Sequence, residues 1–385
     1  MPNSMTRKVL VILGTRPEVI KLAPVIRALA PRLATVVVAS GQHAALLYLL
    51  AEQLGVRFDH DIGAMQPNQT PNALCARILA ALDDIVVREA PGLVLVQGDT
   101  TTALAGALAA FHRRIPIGHV EAGLRSGQAM NPYPEEMNRR LIGQLATYHF
   151  AATSRNRDAL LAEGVDPACV FVTGNPVVDS LKAALRRAAG TNGLGEVLDR
   201  TGGRRCIVLT THRRESFGAH MAANLAALRA FIDRHADVAL IFPVHPNPAV
   251  ARAAACLAGH PRAHLIEPLG YDAFVALLTR AWVIVSDSGG IQEEAPTLGK
   301  PLLVLRETTE RPEVLECGIA RLTGGRPERL TAMLEDLYAT GGWGAPSAGT
   351  ENPFGTGTSG PQIAEIIARL LSPPRIVAPI HAEQG

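Results

Sequence analysis

Ser286-Asp287-Ser288-Gly289-Gly290-Ile291-Gln292-Glu293-Glu294-Ala295-Pro296-Thr297-Leu298-Gly299-Lys300-Pro301 is bracketed by two apolar runs, Trp282 to Val285 and Leu302 to Leu305. Apolar run, glycine loop, short amphipathic segment and second apolar run read as strand, loop, helix, strand, the unit from which parallel sheets are built. Ser288, Gly289 and Gly290 would open the helix. Free backbone N–H groups and the positive end of the helix dipole favour an anion there, and the missing Cβ atoms let a phosphate come close. Glu294 falls one turn in, where a carboxylate suits the paired hydroxyls of a ribose, so the segment has the makings of a nucleoside diphosphate site. A plainer reading also stands, with Gly-Gly as a simple turn and the two glutamates only complementing the dipole.

Upstream the same alternation continues. Apolar runs at Cys206 to Thr210, Ala239 to Pro243 and His264 to Ile266 predict strands, and Asn224 to Arg234, Pro248 to Leu257 and Tyr271 to Arg280 carry helical spacing. Nearer the N-terminus, Lys8 to Leu13, Val36 to Ala39, Leu93 to Gln97, Ile117 to Val120, Tyr148 to Ala151 and Val170 to Thr173 predict strands of an earlier set. Helices between them are expected at Glu18 to Ala30, His43 to Leu54, Leu74 to Arg88, Thr102 to His112 and Pro134 to Leu145. The pattern breaks at Gly174-Asn175-Pro176, and Ala188 to Gly203 is rich in glycine and charge. The expectation is therefore an α/β protein of two Rossmann-like, doubly wound domains, residues 1–173 and 174–360, with the active site in the cleft between them. A helix over about 361–373 would pack back on the first domain, and 374–385 would form a loose tail.

A chain of 385 residues with 48% apolar content is long enough for two cores. A formal charge of +2 with scattered basic residues argues against nucleic acid as a partner. Five cysteines, far apart and without C-x-x-C spacing, suit free thiols in a reducing cytosol. The first apolar run, Val9 to Leu13, is too short for a signal-peptide core and no uninterrupted apolar stretch approaches a membrane span, so a cytoplasmic protein is expected. No His, Asp and Glu cluster has metal-ligand spacing, and Gly14-Thr15-Arg16-Pro17 lacks the G-x-G-x-x-G of a dinucleotide site; no metal and no cofactor are expected.

In open α/β sheets the residues just beyond the strands' carboxyl ends face the ligand. Here they are Arg16 and Lys21, Gln42 and His43, Asp99, Glu121, Glu135 and Arg139, then His212, Arg213 and Glu215, His245, Ser288 and Glu294, and Glu310 and Arg311. Asp99 reads either as the cap of the helix from Thr102 or as an acid/base group. Glu121, directly after an apolar strand, should be buried and need a partner such as Arg125 or Arg139; structural ion pair and catalytic base both fit. His212, between polar residues at a strand end, suits phosphate contact or general acid work.

Eight short motifs, in order, complete the picture: Gly14-Thr15-Arg16-Pro17-Glu18, Gln97-Gly98-Asp99-Thr100-Thr101, His119-Val120-Glu121-Ala122-Gly123-Leu124-Arg125, Pro134-Glu135-Glu136-Met137-Asn138-Arg139, His212-Arg213-Arg214-Glu215, Pro243-Val244-His245-Pro246-Asn247-Pro248, the opening stretch, and Thr308-Thr309-Glu310-Arg311-Pro312-Glu313. The chain resembles the non-hydrolysing UDP-N-acetylglucosamine 2-epimerases from about Val9 to about Leu371. The resemblance implies a glycosyltransferase-B-like fold, a homodimer, and interconversion of UDP-GlcNAc and UDP-ManNAc by elimination of UDP to 2-acetamidoglucal and re-addition with inversion at C2. It implies Asp99, Glu121 and Glu135 as acid/base groups and His212 with Arg16 at the diphosphate. Ser288, Gly289 and Gly290 would hold phosphate, Glu294 the ribose and Phe274 the uracil, with Arg311, Lys21, Arg139 and Arg213 as supporting charges. An epimerase of a modified UDP-HexNAc and a UDP-sugar glycosyltransferase are the alternatives. Gln42, His43, Gln66 and His245 are candidates for a UDP-GlcNAc effector site.

Overall fold

The structure, a computed structural model, describes residues 7–41, 44–66, 69–188, 195–211, 218–343 and 352–372. Strands β1 (Lys8–Leu13), β2 (Ala34–Ala39), β3 (His60–Asp61), β4 (Leu93–Gln97), β5 (Ile117–Ala122), β6 (Tyr148–Ala151) and β7 (Val170–Val172) form one parallel sheet in the order 3-2-1-4-5-6-7. A second parallel sheet holds β8 (Arg205–Thr210), β9 (Val238–Pro243), β10 (Ala263–Ile266), β11 (Val283–Ser286), β12 (Leu302–Val304) and β13 (Ala320–Leu322) in the order 10-9-8-11-12-13. Both sheets reverse direction of winding beside their first strand, which opens a crevice between β1 and β4 and between β8 and β11.

Alternation along β1 shows why these runs are strands. Val9, Val11 and Leu13 face a core with Leu22, Val25 and Leu29, while Leu10 and Ile12 face the opposite core with Ile78, Leu82, Ala103 and Ala107. Both faces are covered, so the strands are apolar throughout instead of alternating with polar residues. In the second sheet Ile207 and Leu209 meet Leu225, Leu228 and Phe231 on one side, and Val208 and Ile284 meet Leu277, Leu278 and Ala295 on the other.

The helices differ from the sequence expectation mainly at their N-termini. The first runs from Arg16 to Leu29 because Pro17 sits in its opening turn, where a missing N–H costs nothing. Thr100, not Asp99, caps Thr101–His112, its side chain accepting from Ala103 N at 3.0 Å. The segment after Gly174-Asn175-Pro176 is helical from Val177 to Ala188. Ser154–Ala162 is also helical, opened by a Thr153/Asn156 capping box. The last described helix, Ser359–Leu370, packs against Arg16–Leu29 and adds Ile363, Ala364 and Ile367 to the core of the first sheet. Asp179 holds its first turn, accepting from Ser359 N at 3.1 Å and Gly360 N at 3.0 Å. Among the described residues no helix is long and apolar enough to cross a membrane.

Candidate active site

The opening stretch folds as β11, a two-residue turn and the helix Gly289–Leu298, with Ser288 as N-cap. Ser288 N donates to Ser286 Oγ at 2.9 Å, which fixes the turn. Gly289 has a reason beyond phosphate access: a Cβ there would lie 2.8 Å from Arg311 Nη1 and 3.0 Å from its Cζ, so the guanidinium occupies the space a side chain would need. At Gly290 an added Cβ would meet only Ser288 Oγ, at 3.9 Å. The helix start is thus open on one side and roofed by a buried cation on the other, a setting that suits an anion.

Glu121 is the most constrained residue of the site. It lies at the end of β5 with φ of 64°, at a register shift between Val120 and Ala122, and is 5% exposed. The bulge turns its side chain out of the strand's alternation, at a backbone cost of about 1–3 kcal/mol for a residue other than glycine. Two residues on, Gly123 permits the tight exit, since a Cβ would come 2.1 Å from Asn156 O. Gln97 Nε2 (2.9 Å) and Asn175 Nδ2 (3.2 Å) donate to Glu121 Oε2, and Lys21 Nζ pairs with the same oxygen. Arg311 Nη2 reaches Oε1 at 3.1 Å.

The partners expected from sequence are elsewhere. Arg125 is held by Glu163 at 2.6–2.7 Å, and Arg139 by Asp99 and Glu136. Lys21 and Arg311 also bind Glu293, with Lys21 Nζ 3.0 Å from Oε2 and Arg311 Nε 2.6 Å from Oε1. The result is a closed ring of alternating charge, Glu121, Lys21, Glu293, Arg311, with two members on the first sheet's side and two on the second's. Glu310 extends it, pairing with Arg311 and, at 2.8 Å, with Arg306. Burial pushes the Glu121 carboxyl up, but Lys21 and Arg311 outweigh it and leave its pKa below the ordinary value. Glu293, buried and repelled by Glu121, is shifted up despite the same two cations.

Asp99 follows β4 and is held by Arg139 Nε at 3.0 Å, while Asn138 Nδ2 donates to its backbone oxygen at 2.9 Å. Glu135 opens the helix Glu135–Leu145, half-buried, one turn before Arg139 and on its face. His119, fully buried, meets Gly98 O through Nε2 at 2.8 Å and thereby fixes the turn that carries Asp99; burial pushes its pKa down to about 3. Arg16 stands half-buried at the mouth of β1 with no carboxylate partner among the described residues, and burial lowers its pKa.

Glu294 accepts from Tyr271 OH at 2.8 Å, and burial pushes its pKa up to about 7. Phe274, half-buried one turn along the same helix as Tyr271, packs on the cluster containing Leu269 and Ile266. A cavity of about 500 Å³ is lined by Val244, Ile266, Glu267, Pro268 and Leu269, at the carboxyl ends of β9 and β10. His245 is exposed and its Nδ1 accepts from Asn247 N at 3.2 Å; Gln66 is exposed and its backbone N donates to Gln69 Oε1 at 3.2 Å. His212, Arg213, Glu215, Gln42 and His43 lie outside the described residues. Among the described residues no group of three His, Cys, Asp or Glu side chains gathers as a metal would require.

Two acidic residues of the site carried no role in the sequence reading. Glu18 is buried and accepts from Gly14 N (3.0 Å), Thr15 N (2.7 Å), Thr15 Oγ1 (2.7 Å) and Thr100 Oγ1 (2.8 Å), tying the loop after β1 to the loop after β4. Its spacing from Thr15 is the T-x-x-E of a capping box, a legible signal. Glu293 has no such signal, because acidic residues in a first helical turn are ordinary.

Two parallel sheets in Rossmann order, with the charged ring at their switch points, define a two-domain nucleotide-binding class. The same architecture occurs in a Neisseria meningitidis UDP-GlcNAc 2-epimerase solved bound to UDP-GlcNAc, with a TM-score of 0.88 and 37% identity over 94% of this chain and 100% of that one. An S. aureus chain solved with UDP gives 0.87 and 37% over 95% and 97%. The family model described as UDP-N-acetylglucosamine 2-epimerase matches residues 27–368. The Escherichia coli K12 UDP-N-acetylglucosamine 2-epimerase is 41% identical over 368 residues, 94% of this chain and 98% of its own length. This chain belongs to the UDP-N-acetylglucosamine 2-epimerase family. Its fold is that of the glycosyltransferase-B-like structures in which such epimerases are built.

Proposed function

We propose that the chain interconverts UDP-GlcNAc and UDP-ManNAc by elimination and re-addition of UDP. The observation that carries this reading is the Glu121 carboxylate, buried beside two cations at the switch point and turned toward it by a bulge. The C2 proton of the sugar is not acidic, so its removal must be coupled to departure of a stable anion. One carboxylate takes the proton, the C2–H electron pair forms the C1=C2 bond, and the C1–O pair leaves with UDP. Returning UDP to C1 with a proton delivered to the other face of C2 inverts that centre.

Glu121, Asp99 and Glu135 share the proton transfers in this scheme. Arg16, Lys21, Arg311 and the amides at Gly289 and Gly290 take the diphosphate, Glu294 the ribose, and the cavity lined by Leu269 the base. Incubation of the protein with UDP-GlcNAc alone in deuterated water should yield an equilibrium with UDP-ManNAc and deuterium at C2, read by NMR. Release of UDP with free sugar, or no change until an acceptor is added, would instead indicate hydrolysis or glycosyl transfer.

A homodimer is part of the same proposal. Met137 and Leu141 lie exposed one turn apart on the helix Glu135–Leu145, with Met130 and Tyr133 exposed in the loop before it and Phe111 on the adjacent helix. That much apolar surface on neighbouring elements favours a covered face. Light scattering on the eluting protein should give twice the 40.8 kDa chain mass; a monomer at micromolar concentration would refute it.

A further inference from the structure

We propose that Glu293 is a positioning residue of the reaction, the permanent counter-ion that holds Lys21 and Arg311 in place while Glu121 gains and loses the C2 proton. This rests on the reading of Glu121 given above. Glu293 is wholly buried, and its two oxygens go to the same two cations that hold Glu121, Oε1 to Arg311 at 2.6 Å and Oε2 to Lys21 at 3.0 Å. Its neighbour Glu294 turns to Tyr271, so the adjacent carboxylates have separate partners.

The ring balances two carboxylates against two cations. When Glu121 takes the proton, one negative charge disappears from the ring and one appears on the departing diphosphate oxygen. Lys21 and Arg311 are thereby released from Glu121 at the moment the leaving group needs them, with no change in the total charge of the site. Their mutual repulsion would drive them apart at that step. Glu293, which does not exchange protons with the sugar, keeps both at the point where Glu121 left them.

The same geometry sets the basicity of Glu121. With Glu293 present Lys21 is divided between two carboxylates and Arg311 among three, Glu310 being the third. Without its charge Lys21 is left to Glu121 alone and Arg311 to Glu121 and Glu310, and a carboxylate more tightly held by cations is a weaker base. Proton removal from C2 then becomes the slow step even where binding and product release were slow before.

The experiment compares wild type, Glu293→Gln and Glu293→Asp with UDP-GlcNAc carrying hydrogen or deuterium at C2. Glu293→Gln should lose about 10²-fold in kcat, the scale of removing one preorganised electrostatic contact, with KM within about threefold of wild type. Its deuterium isotope effect on kcat should rise, and Glu293→Asp should recover part of the rate. Wild-type kcat in Glu293→Gln overturns the inference. So does a fall in kcat with an unchanged isotope effect and no recovery in Glu293→Asp, since a loss of folded enzyme lowers rate without changing which step is slow. If Glu293→Gln does not fold, Glu293→Asp decides alone: intermediate turnover with a raised isotope effect supports the inference, and wild-type values for both overturn it. Wild type separates the two levels: failure to epimerise defeats the functional reading, whereas normal wild type with an unaffected variant defeats only the role of Glu293.

Discussion

A Glu121→Gln chain is expected to fold and to turn over roughly 10²- to 10⁴-fold more slowly, the usual range for a lost general acid or base. Folding should survive because each cation of the ring retains another carboxylate, Lys21 and Arg311 both on Glu293 and Arg311 also on Glu310. The amide can still accept from Gln97 or Asn175, so the bulged end of β5 keeps its contacts. UDP affinity, measured by calorimetry, should stay within a few-fold of wild type. Glucal and UDP are expected to accumulate in long incubations, because return of the proton is slowed and escape is not. Near-normal turnover would mean that Glu121 serves the ion pair alone.

Arg311→Met should act on stability. The guanidinium binds Glu121, Glu293 and Glu310, and it fills the space over Gly289. Its removal leaves Lys21 to hold two buried carboxylates, a loss of about 3–5 kcal/mol for breaking a buried pair from one side. The deficit should depend on pH with a definite sign. Burial and the charge of Glu121 already raise the pKa of Glu293, and loss of Arg311 raises it further. A carboxyl whose folded pKa lies above its unfolded one favours the folded state when protonated, so stability falls as pH rises from the unfolded value through the folded one. Thermal denaturation should therefore show a smaller gap from wild type near pH 5 than near pH 8. A gap that is constant with pH would locate the loss in packing over Gly289 instead.

The alternation of strands and helices was legible because both faces of the central strands are buried, which makes them apolar runs; the short strands His60–Asp61 and Ala320–Leu322 are not apolar runs and were not read. The rule that ligands gather beyond strand ends singled out Glu121, Lys21 and Arg311, and the three side chains meet in the fold. Their pairing was not legible: Lys21 lies 100 residues before Glu121 and Arg311 190 after it, and they meet only when two sheets come together. Arg125 and Arg139 are closer in sequence but are already engaged by Glu163, Asp99 and Glu136. Local spacing also failed for the helix Val177–Ala188, since Gly174 and Pro176 read as a break although proline suits the start of a helix. For Gly289 the packing reason was not legible, because the guanidinium above it comes from a separate loop.

The helix Ser359–Leu370 bears on how the protein is made. Ile363, Ala364 and Ile367 complete a core whose other side is built from Val9, Val11 and Leu13, a strand translated before the whole second sheet. Asp179, which caps that helix, is translated about halfway along the chain. Domains ordinarily fold in the order of synthesis. Here the N-terminal half must carry an uncovered apolar face, over Leu22 and Val25, through translation of the whole second sheet. That face is closed only once the helix Ser359–Leu370 has been made.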